Sequence, residues 1–408
     1  MRLVRPISIL LLSAAIATGC AGRSPEQPQQ PGREPAPAPP PQVQSDPIKD
    51  KVKAMPLAHK LGQMIIAGID GTSVDEHARS LIADGRIGGF ILYKANIESV
   101  EQTTSLLNGL KEANRANPVP LLLSVDQEGG RVNRLPSSFA AVPSNRDIAK
   151  SGDSKKARAV GEAIGEQLHA LGFNVNFAPV LDVDSNPKNP VIGSRSFGSS
   201  ASVVSKFGVE EMLGLRSKRI IPVVKHFPGH GDTSVDSHLD LPVVNKTPDQ
   251  LRELELIPFA EAIRSNAEAI MIAHILLPQI DPEHPASMSA KTITELLRGE
   301  MGYDGIVITD DMTMGAIVKH YDIGAAVVQS VKSGSDIVLV AHDYELARKA
   351  LEALEQAAKS GVIPEDQIDR SVYRILSLKE RYGLTDNPSG PADVNAINAA
   401  LDKATGKK

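Results

Sequence analysis

Tryptophan is absent from this 408-residue chain, all aromatic residues together make up 3% of it, and cysteine occurs once. A single cysteine excludes any intramolecular disulfide. With so few broad rings the chain can line little of a long cleft that stacks sugars or bases. It also lacks an excess of charge of one sign: 44 Lys and Arg stand against 49 Asp and Glu, for a formal net charge of -5. No large basic surface is available, which argues against nucleic acid as a partner. Length allows one large core or two ordinary domains and does not choose between them.

At the start, Arg2 and Arg5 precede an apolar run from Ile7 to Ile16 and then Ala17-Thr18-Gly19-Cys20. This is the layout of a bacterial secretory signal, too short to span a bilayer. Cys20 falls where a lipobox places the cysteine that is acylated, so residues 1–19 read as a lipoprotein signal peptide. The expected product is exported and anchored on the extracytoplasmic side of a membrane, periplasmic or at the cell surface. Position 17 is Ala where lipoboxes usually carry Leu, and a signal peptide with an incidental cysteine is the alternative. Residues 20–47, including PAPAPPPQ, have no periodicity that could bury a face and read as a Pro-rich tether.

Beyond the tether, nearly continuous apolar runs recur at residues 63–69, 89–93, 120–125, 175–183, 221–226, 269–275, 305–309 and 336–340. Runs of this kind suit strands buried on both faces, and the longer segments between them carry helical spacing. One such helix is Lys155 to Leu171, with apolar residues at Ala157, Val160, Ile164, Leu168 and Leu171 and a stop at Gly172. Eight strand and helix units predict an α/β fold of the (β/α)8 TIM-barrel type over residues 48–384. A doubly wound sheet would want a glycine-rich phosphate turn after its first strand, which Gly68-Ile69-Asp70-Gly71 does not match. Helices at Tyr344–Ala358 and Pro364–Tyr382 close the domain, and residues 385–408 read as a loose polar tail.

In such a barrel the site lies at the C-terminal ends of the strands. Strand three ends in Asp126-Gln127-Glu128, with Arg134 following; strand four leads to Asp182, Asp184 and a loop with Arg195; strand five ends in Lys225-His226, strand six at His274 and strand seven in Asp310-Asp311. Singly, each has a structural alternative. Asp311 is read as a cap on free N–H groups, and for Glu128, Asp182 and His274 a structural and a functional role stay open. The stretch KHFPGHGDTSVDSH, Lys225 to His238, holds three His, two Asp, two Gly and one Pro and cannot be core. Imidazole and carboxylate invite a metal reading, but no HExxH pair is present and Lys225 beside His226 is unhelpful to a cation. The better reading is a mobile loop in which Asp236 orients His238 as a general acid or base. The two would face the same side of an extended segment. Asp232 and His230 could pair in the same way. Gly229 and Gly231 are the hinge candidates.

KHFPGHGDTSVDSH, together with DQEGGRVNRL, GSRSFG and ITDDMTMGA in the same chain, resembles the β-N-acetylglucosaminidases of glycoside hydrolase family 3. The resemblance covers essentially the whole folded region. It implies a barrel, a retaining mechanism, and removal of terminal N-acetylglucosamine, in many bacterial members from peptidoglycan fragments. By motif position it implies Asp310 as nucleophile, His238 as acid/base with Asp236 as its partner, and Asp126, Arg134, Arg195, Lys225 and His226 as sugar contacts. No cofactor and no metal are expected, and the chain is expected to be a monomer.

A retaining glycosidase needs a carboxylate beneath the anomeric carbon and a second group that first gives and then takes a proton. An imidazole can do the second task near neutral pH without the burial a carboxyl needs. It also does not repel an anion, so phosphate could replace water and yield a glycosyl 1-phosphate. The fixed cations and the scarcity of aromatic side chains predict exo action on short chains. The rival readings are a β-glucosidase-like relative or glycoside phosphorylase of the same family, and a non-catalytic lipoprotein that binds cell-wall sugar.

Overall fold

The computed structural model describes Gly22 and residues 46–406. Cys20, the signal peptide and nearly all of the tether lie outside the described residues.

The strands are β1 (Ile65–Gly68), β2 (Gly89–Leu92), β3 (Leu122–Val125), β4 (Val175–Asn176), β5 (Ile221–Phe227), β6 (Ala269–Ile272), β7 (Leu276–Leu277), β8 (Asp281–Pro285), β9 (Ile306–Asp311) and β10 (Ile337–Val340). Eight of them close into a barrel in the order β1-β10-β9-β6-β5-β4-β3-β2. All neighbours in the barrel run parallel, and β1 seals it through the register Ile65 to Val338 on one side and Ile66 to Gly89 on the other. The (β/α)8 expectation is borne out, and each of the eight apolar runs supplies one barrel strand. β1, β2, β3, β5, β6 and β10 are buried along their whole length, which is why they read as unbroken apolar runs rather than alternating ones.

β4 is shorter than the 175–183 run suggested. Pro179 has no N–H to give the ladder, and pairing with β5 resumes only as a single bridge from Val180 to Lys225. An antiparallel hairpin, β7 with β8, lies between β6 and β9 and was not foreseen. Its strand Asp281–Pro285 is polar and short, without a period to read.

The helix expected at Lys155–Leu171 forms as Ser154–Leu171. It is capped by the Asp153 carboxylate and ended by Gly172 at φ 106, a left-handed angle that glycine adopts without strain. It packs along the helix Ala201–Ser217. The expectation of a loose tail after residue 384 is corrected. Val394–Thr405 is a helix that buries Ile397 and Leu401 against Ser154–Leu171, and the Asn398 side chain accepts from the Ala140 N–H and donates to the Ser138 carbonyl. Val394, Ile397 and Leu401 recur at helical spacing; three apolar positions in a polar context were too few to stand out.

Candidate active site

A cavity of about 330 Å³ opens at the C-terminal ends of the strands and is lined by Asp126, Arg134, Arg195, Lys225, His226, His238 and Asp310. Asp236 stands behind His238. The structure therefore brings together all eight residues singled out for chemistry, from β3, β5, β9 and the loops after β4 and β5.

The floor is an ion network. Lys225, 1% exposed, projects from β5 onto Asp126 and reaches Glu128 Oε1 at 2.7 Å. Arg195 grips Glu128 with two parallel hydrogen bonds, Nε to Oε2 at 2.8 Å and Nη2 to Oε1 at 2.7 Å. Planar pairing of this kind fixes the guanidinium as well as neutralising it. Burial opposes charge on Glu128, but Arg195 and Lys225 outweigh it and hold the carboxyl well below the usual range. Lys225 behaves in mirror image: burial lowers its pKa, and Asp126 and Glu128 more than restore it. Arg134 also lines the cavity, and its buried Nε has no partner among the described residues.

His226 is held from below by Asp182, whose Oδ2 lies 2.6 Å from Nδ1. The other Asp182 oxygen accepts from the backbone N–H groups of His226 at 3.2 Å and His230 at 2.6 Å. A carboxylate only accepts, so Nδ1 carries the proton and Nε2, 3.5 Å from Arg195 Nη2, presents its lone pair. Glu128 and Asp182, left open from sequence, are thus the buried partners of Arg195, Lys225 and His226. Asp184 pairs with Arg146 at 2.6 Å. The expectation that Asp311 caps the following helix is corrected: that helix, Gly315–Val318, starts at Met314 without a side-chain cap, and the Asp311 carboxylate instead accepts from the N–H groups of Thr313, in the turn after β9, and Ala341, past β10. His274 is buried, with Nδ1 against the Ser287 hydroxyl and Nε2 donating to the Asp311 carbonyl, so it steadies the end of β9. Asp310 is half-buried at that end. Burial pushes its pKa up, yet His274, His226 and the Asp311 N–H together bring it below the ordinary aspartate value, leaving an anion over the cavity.

The loop after β5 divides in two. From His226 to Gly231 it is buried, and a Cβ on Gly231 would stand 1.6 Å from the Val183 carbonyl oxygen. Gly231 is there for close approach, so the hinge reading is corrected at that position. His230 is locked between the Thr233 hydroxyl at 2.9 Å and the Ser237 hydroxyl at 3.0 Å, and burial with the neighbouring His226 pushes its pKa down to about 4. Asp232 pairs with Lys246 at 2.9 Å and not with His230. Past it the chain reaches an exposed His238, whose Nδ1 lies 2.7 Å from Asp236 Oδ1. The pairing is made through a turn and not an extended segment. The His238 N–H donates to the same Asp236 oxygen, and the N–H groups of Leu239 and Asp240 bond the Asp236 carbonyl. Nδ1 therefore holds a proton, and Nε2 is the free ring atom. Among the described residues no cluster of three His, Cys, Asp or Glu is arranged to hold a metal.

Two further residues line the cavity unforeseen: Tyr93, just past β2, and His342, just past β10, which stack with ring centroids 4.9 Å apart. Both are polar residues following barrel strands, the same signal that exposed Asp126 and Asp310.

Fold and site together define a (β/α)8-barrel enzyme whose strand-end pocket joins an anionic carboxylate, buried cations and a His–Asp pair. Residues 56–378 match the family described as glycosyl hydrolase family 3 N terminal domain, and the chain belongs to that family of glycoside hydrolases. It is 35% identical over 81% of its length to the β-hexosaminidase A of Pseudoalteromonas piscicida, of which it spans 58%. It is 33% identical to the β-hexosaminidase LpqI of Mycobacterium tuberculosis, with 93% of this chain and 98% of that one aligned. A solved family 3 β-N-acetylglucosaminidase from Paenibacillus sp. str. FPU-7 superposes with a TM-score of 0.82 at 42% identity, covering 87% of this chain and 69% of that one. The resemblance read from the four motifs is thereby borne out.

Proposed function

We propose that this chain is a retaining exo-β-N-acetylhexosaminidase that releases terminal N-acetylglucosamine from the non-reducing end of short glycans, peptidoglycan fragments among them. The observation that carries the reading is the single cavity in which an anionic Asp310, the free Nε2 face of His238 and the Lys225, Arg195 and Arg134 cations meet. Its volume suits one sugar ring and not an extended chain. Relatives named β-hexosaminidase at 33–35% identity support the acetamido sugar.

In the first step the Asp310 carboxylate bonds to the anomeric carbon as the bond to the leaving oxygen breaks, and His238 Nε2 gives that oxygen its proton. In the second, His238 Nε2 takes a proton from water as the water oxygen bonds to the anomeric carbon and Asp310 departs. Asp236 keeps the ring in the required tautomer and stabilises its charged form. The cationic clamp fixes the sugar so that its anomeric carbon meets Asp310. Because no carboxylate serves as base, phosphate could replace water as acceptor. A lipid anchor at Cys20 would hold the enzyme on the extracytoplasmic side of a membrane; among the described residues no helix is long and apolar enough to cross one.

Nitrophenyl β-glycosides test the reading: the N-acetylglucosaminide should be cleaved at least ~100-fold faster than the glucoside, with Asp310→Ala inactive on both yet normally folded. A preference for glucoside, or an active Asp310→Ala enzyme, would overturn it. Adding phosphate and analysing the product for glycosyl 1-phosphate decides the acceptor.

A further inference from the structure

The arm that carries Asp236 and His238 has little that could bury it. Val235, Leu239 and Val243 are all exposed, Leu239 at 66%, so apolar packing holds the arm weakly. Polar contacts must keep it in place, and the central ones come from the segment directly after β9. The Gly315 N–H donates to the His238 carbonyl at 3.2 Å, and the Ala316 N–H donates to the Ser237 carbonyl at 3.1 Å. Only glycine permits this approach: a Cβ on residue 315 would stand 2.6 Å from the His238 carbonyl oxygen and 2.8 Å from that of Leu239, inside any real contact distance. Further along, His320 Nε2 meets Asp240 Oδ1 at 2.7 Å in an exposed pair. On the opposite flank the arm is tied by Lys246 to Asp232 and by Ser237 to His230.

We propose that Gly315 and Ala316, the last residues of the ITDDMTMGA motif, are positioning residues. They form a catch that seats the acid/base arm over the cavity, with the His320–Asp240 pair as its outer clasp. The inference rests on the reading of His238 as acid/base. The catch and Asp310 belong to one short piece of backbone, so the same strand end that presents the nucleophile also sets where the proton donor sits. When the arm lifts from Gly315 and Ala316, two carbonyls turn to water and His238 leaves the leaving-group oxygen, while Asp310 and the sugar clamp stay in place. Release of the catch therefore costs proton donation and not sugar binding.

The test combines amide hydrogen exchange over residues 232–241 with kinetics of Gly315→Ala on two N-acetylglucosaminides, one with a poor leaving group and one with an activated dinitrophenolate. Faster exchange in that segment is expected, with kcat down about 10-fold or more on the poor leaving group, less than about 3-fold on the activated one, and KM little changed. His320→Ala, at an exposed site that cannot unfold the barrel, should speed exchange of the same segment with a smaller kinetic loss of the same pattern. If neither variant frees the segment, the catch is overturned. It is overturned too if Gly315→Ala loses equally on both substrates while His238→Ala shows the asymmetry. Should His238→Ala show no asymmetry, the acid/base reading fails, and the exchange data alone decide the catch.

Discussion

Asp182 touches no part of the cavity, yet three donors converge on it: the His226 ring and the backbone N–H groups of His226 and His230. It is fully buried. Burial raises its pKa, and the paired His226 and His230 more than reverse this, holding it below the ordinary aspartate value. Removing one partner of a buried polar group leaves the other unsatisfied at a cost of about 1–3 kcal/mol. Asp182→Ala should therefore lower stability by several kcal/mol, seen as a clear drop in Tm, and should raise KM through the loosened His226. An unaltered melting curve would contradict this role. At this scale the sequence was partly legible. Polar residues at strand ends marked Asp126, Asp310 and Lys225. What it could not apportion was which acids line the cavity and which lie behind it, because Asp182 and Asp126 both follow strands of the same barrel.

Among the elements, the helix Val394–Thr405 shows how a short amphipathic segment escapes notice. Isolated helices of this length are marginal, and packing supplies what propensity does not. Leu401 is 1% exposed against the neighbouring helix. Leu401→Ala should cost about 2–3 kcal/mol, at the lower end for buried leucines because the site lies at the rim of the fold. The measurement is chemical denaturation, with kcat unchanged since the helix is remote from the cavity; no loss of stability would mean the helix merely rests on the surface. The strands show the opposite case, since burial on both faces writes itself into an unbroken apolar run. The hairpin β7–β8 was invisible because its ladder is irregular, β7 is only two residues long and β8 is polar.

For the molecule as a whole, a buried acid remote from the cavity makes stability depend on pH. Glu211, midway along Ala201–Ser217, has both carboxyl oxygens buried without a partner among the described residues. Burial, with a contribution from Glu128, pushes its pKa up to about 8. The folded protein thus keeps a proton that the unfolded chain releases near the ordinary glutamate value. Between that value and about pH 8 the native state binds more protons, so stability falls as pH rises, by up to about 1.4 kcal/mol per pH unit. Glu211→Gln should flatten that slope and melt higher than the parent at pH 8. Parallel stability curves for the two proteins would show that Glu211 is ionised in the fold.

The sequence by itself determined the barrel and which polar residues gather at its cavity. Strand burial and strand-end polarity are properties of single positions and their spacing, so they survive in one dimension. Tertiary structure alone decided that Asp182 and Glu128 serve other side chains, that the C-terminal segment docks, that Gly231 is fixed and not free, and that Gly315 and Ala316 meet the arm of His238. Those outcomes depend on backbone groups from segments distant in the chain. Every residue carries a backbone N–H or carbonyl whatever its side chain, so such contacts leave almost no mark in the letters.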